Sequence, residues 1–157
     1  MLLPRWLSHD KAMFFEEFDT GQKYSTKGRT VTEADAVLFS TLTGAYNPLF
    51  LDEVHASKTS FKSRIAPGLL TVSLCTGLIY QLSVDPFGEG FVALVSARMK
   101  WLRAVHHGDT IRSEVVVGDK KPLENHRGLV TLKAKTMNQE NQEVGEIEYN
   151  IIVQTRS

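Results

Sequence analysis

Up to about Pro86, apolar residues recur at three- and four-residue steps, the spacing of one helix face; beyond it they recur at every second position, the spacing of one strand face. Residues 15–18 read as an entry segment and residues 24–29 as a short strand, with Gly21 and Gly28 as turn residues. Thr32-Glu33-Ala34-Asp35 has the form of a capping box, in which the Thr hydroxyl accepts from an unpaired backbone N–H of the first turn and the acidic residue reaches back. Ala34, Val37, Leu38 and Leu42 follow at helical spacing, and Gly44 stands where a helix ends. Asn47-Pro48 breaks that helix; residues 52–58 predict a short second one, opened by Asp52 at the positive end of the helix dipole. After another break over residues 65–68, residues 69–82 predict a helix of about 21 Å. Leu70, Leu74 and Leu78 form one stripe on it while Val72, Ile79 and Leu82 lie elsewhere around it, which predicts burial on nearly every side.

In the second half, Phe91, Ala93, Val95, Ala97, Met99 and Trp101 alternate with residues that become polar toward Lys100, and residues 111–117, 128–137 and 144–153 continue as strands. In the last of these Ile147, Tyr149, Ile151 and Val153 share one face, Glu146, Glu148 and Asn150 the other. Gly108-Asp109, Gly118-Asp119 and residues 138–141 carry turn chemistry. Helices first and antiparallel strands afterwards predict an α+β domain in which a sheet curls around the long helix, with the early strand added to it. The length suits one domain over residues 1–157.

Composition narrows the function classes. With 18 basic against 18 acidic residues there is no basic footprint for nucleic acid or an anionic membrane. Cys75, the sole cysteine, forms no intrachain disulfide, and no Cys/His spacing fits a zinc site. Thr71, Ser73, Thr76 and Gln81 interrupt the longest apolar stretch, which falls short of the ~20 residues of a membrane span. Residues 1–10 are too short and too interrupted for a signal segment. The expectation is a soluble cytoplasmic protein.

Thr43-Gly44-Ala45-Tyr46-Asn47-Pro48-Leu49-Phe50-Leu51-Asp52-Glu53, followed by Phe61 and by Arg64-Ile65-Ala66-Pro67-Gly68-Leu69-Leu70-Thr71, resembles the MaoC-like (R)-specific enoyl-CoA hydratase/dehydratase family of hot dog folds. Val105-His106-His107-Gly108-Asp109-Thr110 matches that family's turn between two strands. The resemblance implies a dimer that buries a central helix of each subunit in a joint sheet, a CoA thioester as ligand along the subunit interface, and no other cofactor. It also implies a motif, Ser/Thr-Gly-Asp-x-Asn-Pro-x-His, whose Asp and His hold a water and shuttle protons across the double bond of a 2-enoyl thioester. Proton transfer by a positioned group is worth roughly 10²- to 10⁴-fold. Here Ala45 stands at the Asp position and Phe50 at the His position, and neither a methyl nor a phenyl exchanges a proton. Gly68 corresponds to the family's glycine at the start of the central helix, whose backbone N–H meets the thioester carbonyl. Asn47 and Pro48 are retained, the Asn shaping the site loop; Pro67 stands where the family often has His, and proline suits a helix entry.

Tyr46, Asn47, Asp52 and His55 are the polar groups nearest the vacated pair. Their simpler roles are a packing aromatic, a loop residue, a helix-start acid and an exposed helix residue. His106 and His107 have no third metal ligand near them in sequence, and Cys75 reads as a small core hydrophobe. Tyr46, Leu49, Asp52, Arg98 and Lys100 are the candidate substrate-binding positions. Arg98, Lys100 and Arg103 are either a solvated strand face or contacts for CoA phosphates. Leu49, Phe50, Phe87 and Phe91 are candidate walls of the acyl tunnel. Three functions follow: an acyl-CoA-binding relative of the hydratases with hydration reduced, altered or lost; a non-catalytic subunit of a heterodimer with a paralogous hot dog chain; or an acyl-CoA thioesterase using Asp52 or Glu53. A homodimer is expected, since the strand over residues 91–103 otherwise leaves pairing groups exposed.

Overall fold

The capping box forms as its residues predict. Thr32 Oγ1 accepts from the Asp35 N–H at 3.2 Å while Asp35 Oδ2 accepts from the Thr32 N–H at 2.8 Å, and helix α1 runs over Glu33–Thr43 until Gly44 turns into the left-handed region at φ 74°. This arrangement comes from a computed structural model that describes residues 13–156; the signal-segment reading of residues 1–10 lies outside the described residues. The face of α1 differs from the expected one. Ala36 and Ser40 are buried, whereas Leu38 and Leu42 are 69% and 86% exposed. Periodicity located an apolar stripe on this helix but not the side that packs.

Asn47 caps a four-residue helix α2 at Pro48–Leu51, its Oδ1 accepting from the Leu49 N–H at 2.9 Å, and Asp52 caps α3 at Glu53–Ser57. The predicted helix over residues 52–58 is therefore one of two, and Pro48 opens a helix where a break was expected, because proline's fixed φ suits the first helical position. The central helix α4 spans Gly68–Ile79; beyond it, Gln81 and Leu82 donate to carbonyls three residues back in turns. Its Leu70, Leu74, Cys75, Leu78 and Ile79 are buried, but Leu69 is 59% exposed and Ser73 is also open, so one stripe of α4 is uncovered in the single chain.

The sheet has the order β1-β4-β5-β6-β3, all antiparallel, from β1 (Lys23–Ser25), β3 (Phe91–Trp101), β4 (Thr110–Leu123), β5 (Arg127–Met137) and β6 (Glu143–Gln154), with β2 (Arg29–Thr30) paired to the start of β4. The early strand is thus split in two. Gly118-Asp119 is not a turn but lies inside β4, where the register shifts between Val117 and Lys120. The chain reverses instead after Leu123, where Asn125 and His126 take φ 60° and 55°, the positive values a tight hairpin needs to match strand twist. The alternation expected along β3 is also broken: register shifts after Phe91 and after Leu94 set Leu94, not Val95, opposite the buried Ile151.

Ile111, Val115, Val117, Val130, Leu132, Ile147, Tyr149, Ile151 and Val153 point inward and form the core with α4. Each such aliphatic side chain contributes ~1.5–3 kcal/mol on burial. Among the described residues no helix is long and apolar enough to cross a membrane. Thr32→Ala removes the cap hydroxyl and is expected to destabilise the protein by about 1 kcal/mol. A urea titration checks it: the midpoint falls at an unchanged slope.

Candidate functional site

Three inward-facing rows cross the sheet, and their side-chain sizes decide where space is left. Ser113, Thr136, Gly145 and Trp101 are register partners across β4, β5, β6 and β3. Two residues along lie Val115, Ala134, Ile147 and Met99, and two further lie Val117, Leu132, Tyr149 and Ala97. The first row is small at Ser113, Thr136 and Gly145, and a cavity of about 400 Å³ opens over it. Its other walls are the head of α4 (Gly68, Thr71, Cys75), the loop before it (Phe61, Ile65, Ala66), α2 (Leu49, Phe50) and the segment after β3 (Leu102, Arg103, Ala104, Val105). Phe61, Trp101, Leu102 and Arg103 are exposed and make the mouth; Cys75, Thr136 and Ile147 are buried and make the inner end.

Two glycines admit Trp101. A Cβ on Gly68 would lie 2.8 Å from the Trp101 indole, and one on Gly145 would lie 3.4 Å from it. The indole therefore packs against the first residue of α4, whose N-terminus carries no side-chain cap. The loop that delivers this residue is pinned from several sides. Ala66 N–H donates to Val105 O at 2.8 Å and Ile65 N–H to Leu49 O at 3.4 Å, while His106 Nε2 lies 3.3 Å from Phe61 O. Arg64 bridges two helix starts, its guanidinium 2.7 Å from Glu33 Oε1 on α1 and 3.0 Å from Glu53 Oε2 on α3. The hydrogen bond and charge of Arg64 hold the Glu33 carboxyl below its ordinary range, and the two carboxylates raise Arg64 in turn. Beside this cluster His107 has Nε2 buried without a hydrogen-bond partner; burial, then the Arg64 charge, depresses its pKa.

At the inner end Thr136 Oγ1 stands 3.3 Å from Cys75 Sγ and 3.0 Å from Ser113 Oγ. Burial pushes the Cys75 thiol up, against smaller opposing effects of Thr136 and Ser113, so the sulfur is no thiolate at neutral pH. Thr76 Oγ1 and Tyr149 OH are 2.8 Å apart just beyond, and burial pushes the Tyr149 phenol up to about 12. Among the described residues no carboxylate and no imidazole lines the cavity, and none form a cluster fit to hold a metal ion.

Residues 16–139 match the family model described as MaoC like domain. The chain belongs to that family. It is 29% identical over 146 residues to the uncharacterized protein YdeM of Bacillus subtilis, covering 90% of this chain and 99% of that one. It is 33% identical over 104 residues to an (R)-specific enoyl-CoA hydratase of Rhodospirillum rubrum, covering 66% of this chain and 69% of that one. A solved structure of a monoamine oxidase regulatory protein from Archaeoglobus superimposes with a TM-score of 0.87 at 30% identity, over 94% of this chain and 98% of that one. The shared architecture is the hot dog fold.

In this MaoC-like chain Gly68, Leu49, Phe50 and Arg103 meet at the cavity, but the remaining candidates for the substrate site do not join them. Ala45 is half-buried outside the lining, and Asn47 spends its side-chain oxygen on the α2 cap. Tyr46 is 67% exposed; Asp52 Oδ1 accepts from the His55 N–H at 3.0 Å, and His55 itself is exposed on α3. Arg98 and Lys100 pair in register with Glu148 and Glu146 on the outer face of the sheet, away from α4. Phe87 and Phe91 are in contact with each other rather than with the cavity, Phe87 stacking on Tyr80 at 4.5 Å and meeting Tyr149 edge-on at 6.1 Å. Nothing local in the sequence marks Trp101, Thr136 or Arg64 as site residues, since register across distant strands and loop pairing leave no local signal. Only the Arg64–Thr71 match to the family marked Arg64 at all.

The depressed His107 pKa has a defined consequence for stability. The unfolded chain binds this proton more readily than the folded one, so His107 lowers stability as pH falls through its ordinary value of 6.5 toward its folded value, and has no such effect above that window. His107→Asn is expected to flatten this part of the stability profile. Urea midpoints of both proteins between pH 8 and about pH 5 test it, and identical slopes would remove His107 as the cause.

Proposed function

We propose that this protein binds a CoA thioester with its acyl group in the cavity and its carbonyl oxygen accepting a hydrogen bond from the Gly68 N–H. One observation carries the reading: a helix start without a side-chain cap opens into an apolar cavity. The first turn of a helix has N–H groups with no partner inside the helix and carries the positive end of its dipole, so a carbonyl oxygen gaining negative charge is stabilised there. Hydrocarbon walls strengthen that attraction by keeping water out. Arg103 at the mouth offers a cation to the CoA phosphates. The naming of a relative as an (R)-specific enoyl-CoA hydratase supports the same ligand class.

Hydration needs one group to take a proton from water and another to deliver one to the α-carbon. Ala45 and Phe50 occupy the family's Asp and His positions, and no carboxylate or imidazole of the described residues lines the cavity in their place. The protein therefore retains thioester binding while hydration is reduced or lost. The thioesterase reading is disfavoured: Asp52 caps α3, Glu53 holds Arg64, and both lie outside the lining. The uncovered edge of β3, with Val92, Leu94, Val95 and Trp101 exposed, supports a homodimer joined along that strand. The same edge favours a second reading, in which a different hot dog chain docks there and supplies the missing Asp and His. No metal or further cofactor enters either reading, and the cytoplasm is the proposed compartment.

The test is a binding and hydration assay on a short 2-enoyl-CoA. The unaltered protein is expected to bind the thioester and to turn it over at least about 10²-fold more slowly than the usual range of 1 to 10³ per second. Ala45→Asp combined with Phe50→His is expected to restore measurable hydration, and each alone to do little, because the pair acts as a unit. Turnover in the usual range by the unaltered homodimer would overturn the loss of chemistry; absence of binding would overturn the ligand.

A further inference from the structure

The inner end of the cavity is closed by identifiable side chains, and this sets how much acyl chain fits. Gly68, Thr71 and Cys75 lie at i, i+3 and i+7 on α4 and all line the cavity, so its long wall is one face of that helix. From Gly68 to Cys75 the helix rises about 10 Å, and the Cys75 side chain leans back toward the helix start and shortens the usable length. On the sheet side the lining reaches Ile147 in the second row and stops; Tyr149 in the third row is 1% exposed, with its hydroxyl held by Thr76 and its ring by Phe87. Cys75, 0% exposed, is tied to Thr136 at the same depth.

We infer that the site takes short acyl groups, with the tail running along the Gly68–Thr71–Cys75 face of α4 and ending against the Cys75–Thr136 pair, which acts as the stop. At roughly 1.3 Å per carbon, the ~8–10 Å available along the helix holds about six to eight carbons. Cys75 is a length-determining residue. The inference rests on the CoA-thioester reading and adds to it the class of acyl group.

The experiment measures affinities for straight-chain saturated acyl-CoAs from two to fourteen carbons on the unaltered protein, Cys75→Ala and Cys75→Leu. Affinity is expected to rise about fourfold for each added CH₂ while the tail still gains wall. Beyond six to eight carbons it is expected to fall at least about tenfold, because a tail that meets a packed wall must displace it. Cys75→Ala should move the break one or two carbons longer, and Cys75→Leu the same amount shorter. A second readout needs no variant: Cys75 is the only thiol in the chain, so the rate at which methyl methanethiosulfonate modifies the protein reports on access to that one side chain, and the comparison of two thioesters at one pH isolates the effect of the tail. Octanoyl-CoA should slow that reaction at saturation and acetyl-CoA should not. Affinity that keeps rising to fourteen carbons, a break that neither variant moves, or equal protection by both thioesters would overturn the length assignment while leaving thioester binding in place. If no acyl-CoA binds, acetyl-CoA included, the ligand reading itself falls, and the length assignment with it.

Discussion

The structure depends on the burial of α4 against the concave face of β4, β5 and β6. Leu70, Leu74, Cys75 and Ile79 meet Val115, Val117, Leu132, Tyr149 and Ile151 in one core, and the many small attractions of that contact leave the helix a single seat. Once α4 is seated, its Gly68–Thr71–Cys75 face lies over the row of Ser113, Thr136 and Gly145. These side chains are too small to reach across, and the space they leave becomes the cavity. The site is thus a consequence of where the core stops being filled.

Several constraints meet at Gly68. The Trp101 indole occupies the place a Cβ would need, and the preceding loop is held by Arg64, Ile65 and Ala66 to α1, α2, α3 and Val105. Rigid delivery of one N–H suits recognition of a carbonyl oxygen, because a preorganised donor loses little freedom when the ligand arrives. The polar groups around this point serve structure: Asn47 and Asp52 cap helices, and Glu53 neutralises Arg64. The proposed thioester binding needs only such a donor, whereas hydration needs an acid and a base, and no carboxylate or imidazole of the described residues lines the cavity.

Much of the fold is legible in the chain itself, and the failures share a cause. The capping box, the Gly44 stop, the turn at residues 138–141 and the faces of β6 are local, fixed by hydrogen-bonding chemistry and side-chain period. The buried side of α1 departs from its apolar stripe because Leu38 and Leu42 are apolar yet exposed, while Ala36 and Ser40, small enough for close approach, pack inward. The register of β3 departs from simple alternation because its bulges follow from pairing with β6, which alternation within one strand does not encode. Gly118-Asp119 has turn chemistry but lies where β4 is still paired to β5 on both sides, so pairing overrode it.

For the site, the chain alone decided which chemistry is present: Ala45 and Phe50 exchange no proton wherever the loop puts them, and Gly68 at a helix start offers a backbone N–H. Tertiary structure decided which groups share a cavity. It set Trp101 on Gly68 and Thr136 against Cys75, 61 residues apart in sequence, and it turned Arg98 and Lys100 to the opposite face. The physical reason is range: hydrogen-bonding type and helix or strand period are properties of neighbours along the chain, whereas adjacency across a curved sheet depends on the registers of several strand pairs at once.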